Sequence, residues 1–205
     1  MPRLDGVTLV VGLGKSGLSA VRALAALGAT VAVTDSRRDP PGSAALRAEF
    51  PALPCHLGGF DPAVFAGATR LLVSPGVAVA TPVIAAAAAR GVPVWGDIEL
   101  LARLTRAPVA AITGSNGKST VTTMLGEMAA RAGVRAAVGG NLGTPALDLW
   151  RAAERGASPE QTPEMYVLEL SSFQLETTHS LSARVATVLN ISPDHMDRYD
   201  TLDDY

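Results

Sequence analysis

At 205 residues the chain has room for one large domain or two small ones. Its 48% hydrophobic and 18% charged residues exclude a disordered chain, since that much apolar surface can bury a core. A formal net charge of -2 excludes the broad basic surface that nucleic acids demand, so any nucleotide partner is small.

In chain order, short β-branched runs alternate with alanine- and leucine-rich segments, the pattern of an α/β fold with a parallel sheet. Residues 7–11 read as a buried strand, 16–27 as a helix ending before Gly28, and 31–34 as the next strand. Helices are expected at 43–50, 82–90 and 97–104, and strands at 70–74 and 92–95. The alternation restarts near residue 107, with a strand at 109–113 and a helix at 119–132. Later strands are expected at 135–138, 165–170 and 185–191. The stretch 155–163, with Gly156, Ser158, Pro159 and Pro163, reads as a surface loop. Two nucleotide-type units imply two domains, 1–106 and 107–205.

The lone Cys55 cannot form an internal disulfide and suits a reducing cytoplasm; it reads as a small buried residue. Asp5, Gly12, Gly14 and Lys15 interrupt any signal-peptide core. The apolar run 84–89 is too short to span a bilayer and is closed by Arg90. The chain is therefore read as soluble, cytoplasmic and monomeric, with no membrane partner.

Gly12-Leu13-Gly14-Lys15-Ser16-Gly17 lies between the first strand and its helix. Glycines there permit close backbone approach, and free amides at the helix start attract a diphosphate. Asp35 follows Gly17 by 18 positions (35 minus 17), where an acid can accept from a ribose hydroxyl. A dinucleotide such as NAD or FAD, another diphosphate ligand, or close helix packing all fit this pattern. An NAD-dependent oxidoreductase is thus one reading.

Thr113-Gly114-Ser115-Asn116-Gly117-Lys118-Ser119-Thr120 also joins a strand to a helix, as a phosphate loop must. Its amides can surround phosphate oxygens, Lys118 can offset β- and γ-phosphate charge, and Ser119 or Thr120 can hold magnesium. The usual loop carries a further glycine where Ile112 stands, so this is a shortened variant. These are ATP-handling roles.

Glu169 ends an apolar strand within Val167-Leu168-Glu169-Leu170-Ser171-Ser172-Phe173-Gln174, where open parallel sheets place ligands. His195, in Ser192-Pro193-Asp194-His195-Met196-Asp197, follows the next strand, and Asp194 and Asp197 can orient it. Both are metal candidates. His56 and His179 read as structural or surface residues. Ser74-Pro75-Gly76 and Gly139-Gly140-Asn141-Leu142-Gly143 follow strands too, and fit either ligand loops or ordinary turns.

Together these motifs resemble the Mur ligase family of peptidoglycan precursor synthesis, across essentially the whole chain. Leu168 to Glu176, Asn190 to Tyr199 and Gly96-Asp97-Ile98-Glu99-Leu100 resemble the branch that adds D-glutamate. Other Mur enzymes and folylpolyglutamate synthetases share the ATP loop and remain alternatives. The resemblance implies a Rossmann-like first domain that binds the UDP end of a substrate, followed by part of a phosphate-loop ATPase domain. Lys15 and Ser16 would meet the diphosphate, Asp35, Ser36 and Arg37 the uridine region, and Ser74 and Gly76 the same cleft. Asn141 and Ser171 would contact the muramoyl-alanine portion. Gly114, Ser115, Asn116, Gly117, Lys118, Ser119 and Thr120 would bind ATP, and Ser119, Glu169 and His195 would hold magnesium, with Lys118, Glu169 and His195 as the catalytic set.

The implied substrates are UDP-N-acetylmuramoyl-L-alanine and D-glutamate. The alanine carboxylate would attack the γ-phosphate of ATP, and the D-glutamate amine would displace the resulting acyl phosphate. The family's carbamylated lysine and its closing third domain would lie beyond Tyr205, so this chain alone is expected to bind without turnover, with an open sheet edge.

Overall fold

The computed structural model describes residues 3–156 and 162–205. Two parallel sheets form. In the first, β1 (Val7–Val11), β2 (Thr30–Asp35), β3 (Cys55–Leu57), β4 (Arg70–Val73) and β5 (Val94–Trp95) lie in the order β3-β2-β1-β4-β5. In the second, β6 (Val109–Thr113), β7 (Ala136–Gly140), β8 (Met165–Glu169) and β9 (Val185–Val188) lie in the order β7-β8-β6-β9. Val10 pairs with Val33 on one side and Leu72 on the other, and Ile112 pairs with Glu169 and Thr187. The α/β class expected from the alternation is the observed one.

β1 and β4 are almost wholly buried, as continuous apolar strands of a sheet covered on both faces must be. α1 (Lys15–Ala26) and α5 (Asp97–Leu104) cover one face; α3 (Pro62–Ala66) and α4 (Pro82–Ala89) cover the other, over Leu9, Val11, Leu71 and Val73. α2 (Ser43–Glu49) seats Leu46 in the core. α7 (Ala146–Arg155) lies against α1 and α5, so one apolar cluster runs from Val10 and Leu24 through Leu147 and Trp150 to Tyr166 and Leu168. The two sheets therefore share a core through these helices. α6 (Lys118–Arg131) covers the opposite face of the second sheet, and α8 (Ser172–Leu175) follows β8.

Several details differ from expectation for local reasons. β5 starts at Val94 rather than 92 because Pro93 has no N–H to give the ladder and contributes only its carbonyl, to Leu71. β9 ends at Val188, beyond which the chain turns toward the phosphate loop. Cys55, expected to be buried, is exposed: it sits on β3, a three-residue edge strand with no element outside it. Arg155, expected in a loop, ends α7, and residues 157–161 of that loop lie outside the described residues. α3, α7, α8 and β3 were not anticipated. α3 was nonetheless signalled by Asp61-Pro62, since the Asp61 carboxylate caps the Ala63 amide at 2.9 Å. α8 was signalled by Ser171 and Gln174, which form a reciprocal capping box.

β9 forms an open edge, and Val185, Val188, Ile191, Met124 and Met128 are exposed. Among the described residues no helix is long and apolar enough to cross a membrane.

Candidate functional site

In the first sheet the chain leaves β1 toward β2 and later adds β4 on the other side of β1. A crevice opens at such a reversal, outside the carboxyl ends of the strands. The Gly12 loop and Ser74 occupy that place. Gly17 is required by close approach: an added Cβ would lie 1.9 Å from the Gly12 carbonyl oxygen and 2.8 Å from Ser74 Oγ. The Ser74 hydroxyl donates to that same carbonyl at 2.7 Å, which ties the β4 turn to the loop.

The crevice is a cavity of about 580 Å³. It is lined by Lys15, Ser16, Asp35, Ser36, Arg37, Ser74, Gly76 and Asn141, all assigned to substrate from sequence. Pro75, Gly140 and Gly143, from the two turns that fit ligand loops, also line it, as do Val77, Pro145 and Gln174, to which the sequence assigned no binding role. Ser171 is not among its walls; its amide donates at 3.1 Å to the side-chain oxygen of Gln174, which is.

Asp35 is buried, and its carboxylate is already engaged. It accepts from the Leu13 amide at 2.7 Å, from the Arg37 amide at 2.8 Å and from the Arg37 guanidinium at 2.7 and 2.9 Å. Burial alone would raise its pKa, but the Arg37 guanidinium and the two amides outweigh it and hold the carboxyl below its ordinary value. Here Asp35 fastens the glycine loop and aims Arg37, instead of presenting two free oxygens to a ribose.

The phosphate loop lies between β6 and α6. Gly117 adopts a left-handed conformation (φ 84°) and directly precedes the helix, so the first amides of α6 face the loop. Gly114 (φ 133°) passes so near the end of β9 that a Cβ would sit 3.0 to 3.1 Å from the backbone of Leu189 and Asn190. The Lys118 ammonium donates to the Gly114 and Ser115 carbonyls at 2.5 and 3.0 Å, curled over its own loop.

Glu169, at the end of β8, is 3% exposed and links the two crevices. One oxygen accepts from the Ser119 hydroxyl at 2.7 Å, the other from the Asn141 side-chain amide at 2.7 Å. Ser119 and Thr120 both border an outer groove with Met124 and Met128, and the bond to Glu169 marks Ser119 as the hydroxyl beside the carboxylate. A buried carboxylate held by neutral donors is costly unless balanced, and oxygen ligands of this kind suit a divalent cation. His195 has φ 52°, its ring lies tilted at 50° to the Phe173 ring with 4.6 Å between centroids, and its Nε2 is 3.7 Å from Asp194. Among the described residues no three His, Cys, Asp or Glu side chains gather closely enough to hold an ion by themselves. A cation here would therefore depend on Glu169, the Ser119 hydroxyl and nucleotide phosphates, with His195 on a neighbouring loop.

The two units are joined by polar contacts. Gln174 donates to the buried Asp97 at 2.9 Å, and burial pushes the Asp97 carboxyl up. Glu99 accepts from the His179 and Ser180 amides at 2.7 and 2.8 Å. Sequence reasoning had singled out the 96–100 and 168–176 segments without assigning these pairs.

A glycine-loop crevice and a second strand–glycine loop–helix turn, linked through one buried carboxylate, define an α/β protein with two adjoining glycine-loop sites at the carboxyl ends of parallel strands. Comparison with known proteins agrees. Residues 6–96 match the Mur ligase MurD-like N-terminal domain, and residues 112–205 match the Mur ligase middle domain. A UDP-N-acetylmuramoylalanine--D-glutamate ligase of Nitrosococcus oceani is 56% identical over 204 residues, covering 100% of this chain and 43% of that protein. The protein of the same name from Marinobacter nauticus is 58% identical over 195 residues, 95% of this chain and 42% of that protein. The solved UDP-N-acetylmuramate:L-alanyl-gamma-D-glutamyl-meso-diaminopimelate ligase from Neisseria meningitides shares the fold (TM-score 0.58, 21% identity, 97% of this chain and 64% of that one). The chain belongs to the Mur ligase family. It spans about 43% of the length of the curated relatives it matches.

Proposed function

We propose that this chain forms the nucleotide-sugar- and ATP-binding part of an ADP-forming ligase that joins D-glutamate to UDP-N-acetylmuramoyl-L-alanine. The observation that carries this reading is the Ser119–Glu169–Asn141 link: Asn141 lines the diphosphate crevice, Ser119 opens the helix of the phosphate loop, and one buried carboxylate holds both. The names and high identity of the relatives support the choice of substrates. The division into a UDP-binding unit (1–106) and an ATP-binding unit (107–205) is part of the same proposal, as is a cytoplasmic setting, which suits the exposed Cys55 thiol.

In this reading Lys15 and Ser16 hold the diphosphate, while Asp35, Ser36 and Arg37 face the uridine. Ser74 and Gly76 close the crevice, and Asn141 with Ser171 directs the alanine end toward the phosphate loop. The amides of residues 114–120 and the Lys118 ammonium hold the triphosphate. Magnesium, when bound, would neutralise phosphate charge beside Ser119 and Glu169, with His195 assigned to the same ion. Two anions must meet, the alanine carboxylate and the γ-phosphate, so the protein's part is positioning and charge balance rather than nucleophilic attack.

Calorimetry of the purified chain tests this. UDP-N-acetylmuramoyl-L-alanine should bind, UDP should compete with it, and a non-hydrolysable ATP analogue with magnesium should bind simultaneously. Tight NADH binding that UDP does not displace would instead establish the dinucleotide oxidoreductase reading.

A further inference from the structure

The segment that carries His195 is fastened at both ends, each to a different glycine loop. At its start the Asn190 side chain accepts from the Asn116 amide and donates to the Asn116 carbonyl, both at 2.9 Å. The Ser115 amide donates to the Asn190 carbonyl at 3.0 Å, and the Ser192 amide to Ser115 Oγ at 2.9 Å. At its end Arg198 reaches across to the first unit. Its guanidinium donates to the Pro75 carbonyl at 2.9 Å and the Val77 carbonyl at 3.3 Å, and forms a bidentate pair with Glu176 at 3.0 and 2.6 Å. The guanidinium lies 4.3 Å from the centroid of the Phe173 ring, the same ring that packs, tilted, against His195. Tyr199 donates to Glu176 at 2.8 Å, and the Arg198 and Tyr199 amides both donate to the His195 carbonyl.

The turn that Arg198 grips belongs to the diphosphate crevice. Val77 donates its amide to the Ser74 carbonyl, and Ser74 bonds to Gly12. Val77 Cγ2 packs so closely that a Cβ on Gly12 would meet it at 2.8 Å. A continuous packed path therefore runs from Gly12 through Ser74, Val77, Arg198 and Phe173 to His195. The bonds of Asn190 carry it on to the phosphate loop.

We infer that Arg198 is a positioning residue: it registers the His195 segment against the Gly12 crevice, so that ligands in the crevice and on the phosphate loop strengthen each other's binding. An ordinary surface ion pair would not spend half of its hydrogen bonds on backbone carbonyls of another unit. Only the planar guanidinium fork can serve Glu176 and both carbonyls at once. The identity of the two ligands rests on the function proposed above; the fastening itself does not.

Two measurements on the full chain test this, with Arg198→Met and Arg198→Lys as variants. Without ligand, amide hydrogen exchange should quicken roughly tenfold in peptides covering both 74–79 and 190–199, with β1 unchanged, because opening at one end frees the other. Lysine should not restore the protection. Unchanged exchange in either segment would overturn the inference whatever the chain binds. In calorimetry, an ATP analogue with magnesium should tighten UDP-N-acetylmuramoyl-L-alanine binding by about 5-fold or more in the parent chain, and by less than about twofold in Arg198→Met. Affinity for UDP alone should stay unchanged. Coupling that survives in Arg198→Met refutes the positioning role, whereas failure of the parent chain to bind the UDP substrate refutes the proposed function and leaves exchange to decide on Arg198. Should Arg198→Met fold poorly, Glu176→Gln keeps the carbonyl bonds and should give intermediate exchange; parent-like exchange there overturns the role given to Glu176 in the fastening.

Discussion

Glu99 offers a direct test of how the two units are held together. Its side chain is fully buried, yet its carboxylate takes four hydrogen bonds and a further ion-pair contact from Arg103. The His179 and Ser180 amides meet one oxygen; the Ser180 hydroxyl and two nitrogens of Arg103 meet the other. Glu99→Ala strands these donors. Arg103 is 37% exposed and can rehydrate, so its share is small and Arg103→Met should cost no more than about 1 kcal/mol. The amides and hydroxyl cannot escape as easily. At roughly 1–3 kcal/mol for each orphaned buried donor, Glu99→Ala should cost about 3–5 kcal/mol. For a chain of this size that is a fall of roughly 6–20 °C in melting temperature. Glu99→Gln keeps the shape but turns its amide group toward some of the donors, and should cost about 2 kcal/mol.

The effect should depend on pH in one direction. Burial by itself would raise the Glu99 carboxyl, but the His179 and Ser180 amides, the Ser180 hydroxyl and Arg103 outweigh it, and its pKa is lowered. A carboxyl with a lowered folded-state pKa contributes stability that is present above the unfolded value of about 4.3 and lost as pH falls through the folded value. The gap between parent and Glu99→Gln should thus be full at neutral pH and shrink on acidification below about pH 4. Urea unfolding followed by circular dichroism at several pH values measures it. Two outcomes would sink this reasoning: Glu99→Ala within about 0.5 kcal/mol of the parent, or Arg103→Met as costly as Glu99→Ala.

Glu169→Gln should weaken magnesium-dependent ATP-analogue binding by about tenfold or more without lowering the unfolding midpoint, because a neutral amide of the same size replaces a buried charge held by neutral donors. Unaltered binding in calorimetry would remove Glu169 from the proposed metal site. Gly17→Ala should cost about 1–3 kcal/mol or more and abolish binding in the crevice, since its Cβ would fall 1.9 Å from the Gly12 oxygen. Parent-like UDP affinity in that variant would show that the loop does not need the observed close approach.

Much of this protein is written locally. The short continuous apolar runs and the helices between them place nearly every strand of both sheets, because a parallel strand buried on both faces has to be apolar almost throughout. Both glycine loops are also local, since a strand, a tight turn and a helix start are contiguous in the chain. The short pieces were less visible: β3 is only three residues long, and α7 has an amphipathic pattern that reads as a helix only once Pro145 is placed before it. What tertiary structure alone decided are the meetings between distant residues. Sequence nominated Glu169, Ser119 and Asn141 separately, but only the strand order brings the ends of β6, β7 and β8 together around one carboxylate. Asp35 was legible as an acid after the second strand, and its engagement by Leu13 and Arg37 was not. Arg198 lies within the 190–199 segment, but its role across the crevice gave no signal, because the Pro75 and Val77 carbonyls that it meets lie more than 120 residues away and every sequence possesses backbone carbonyls. Spacing along the chain fixes local turns, while hydrogen bonds across the crevice depend on how the two sheets pack through α1, α5 and α7.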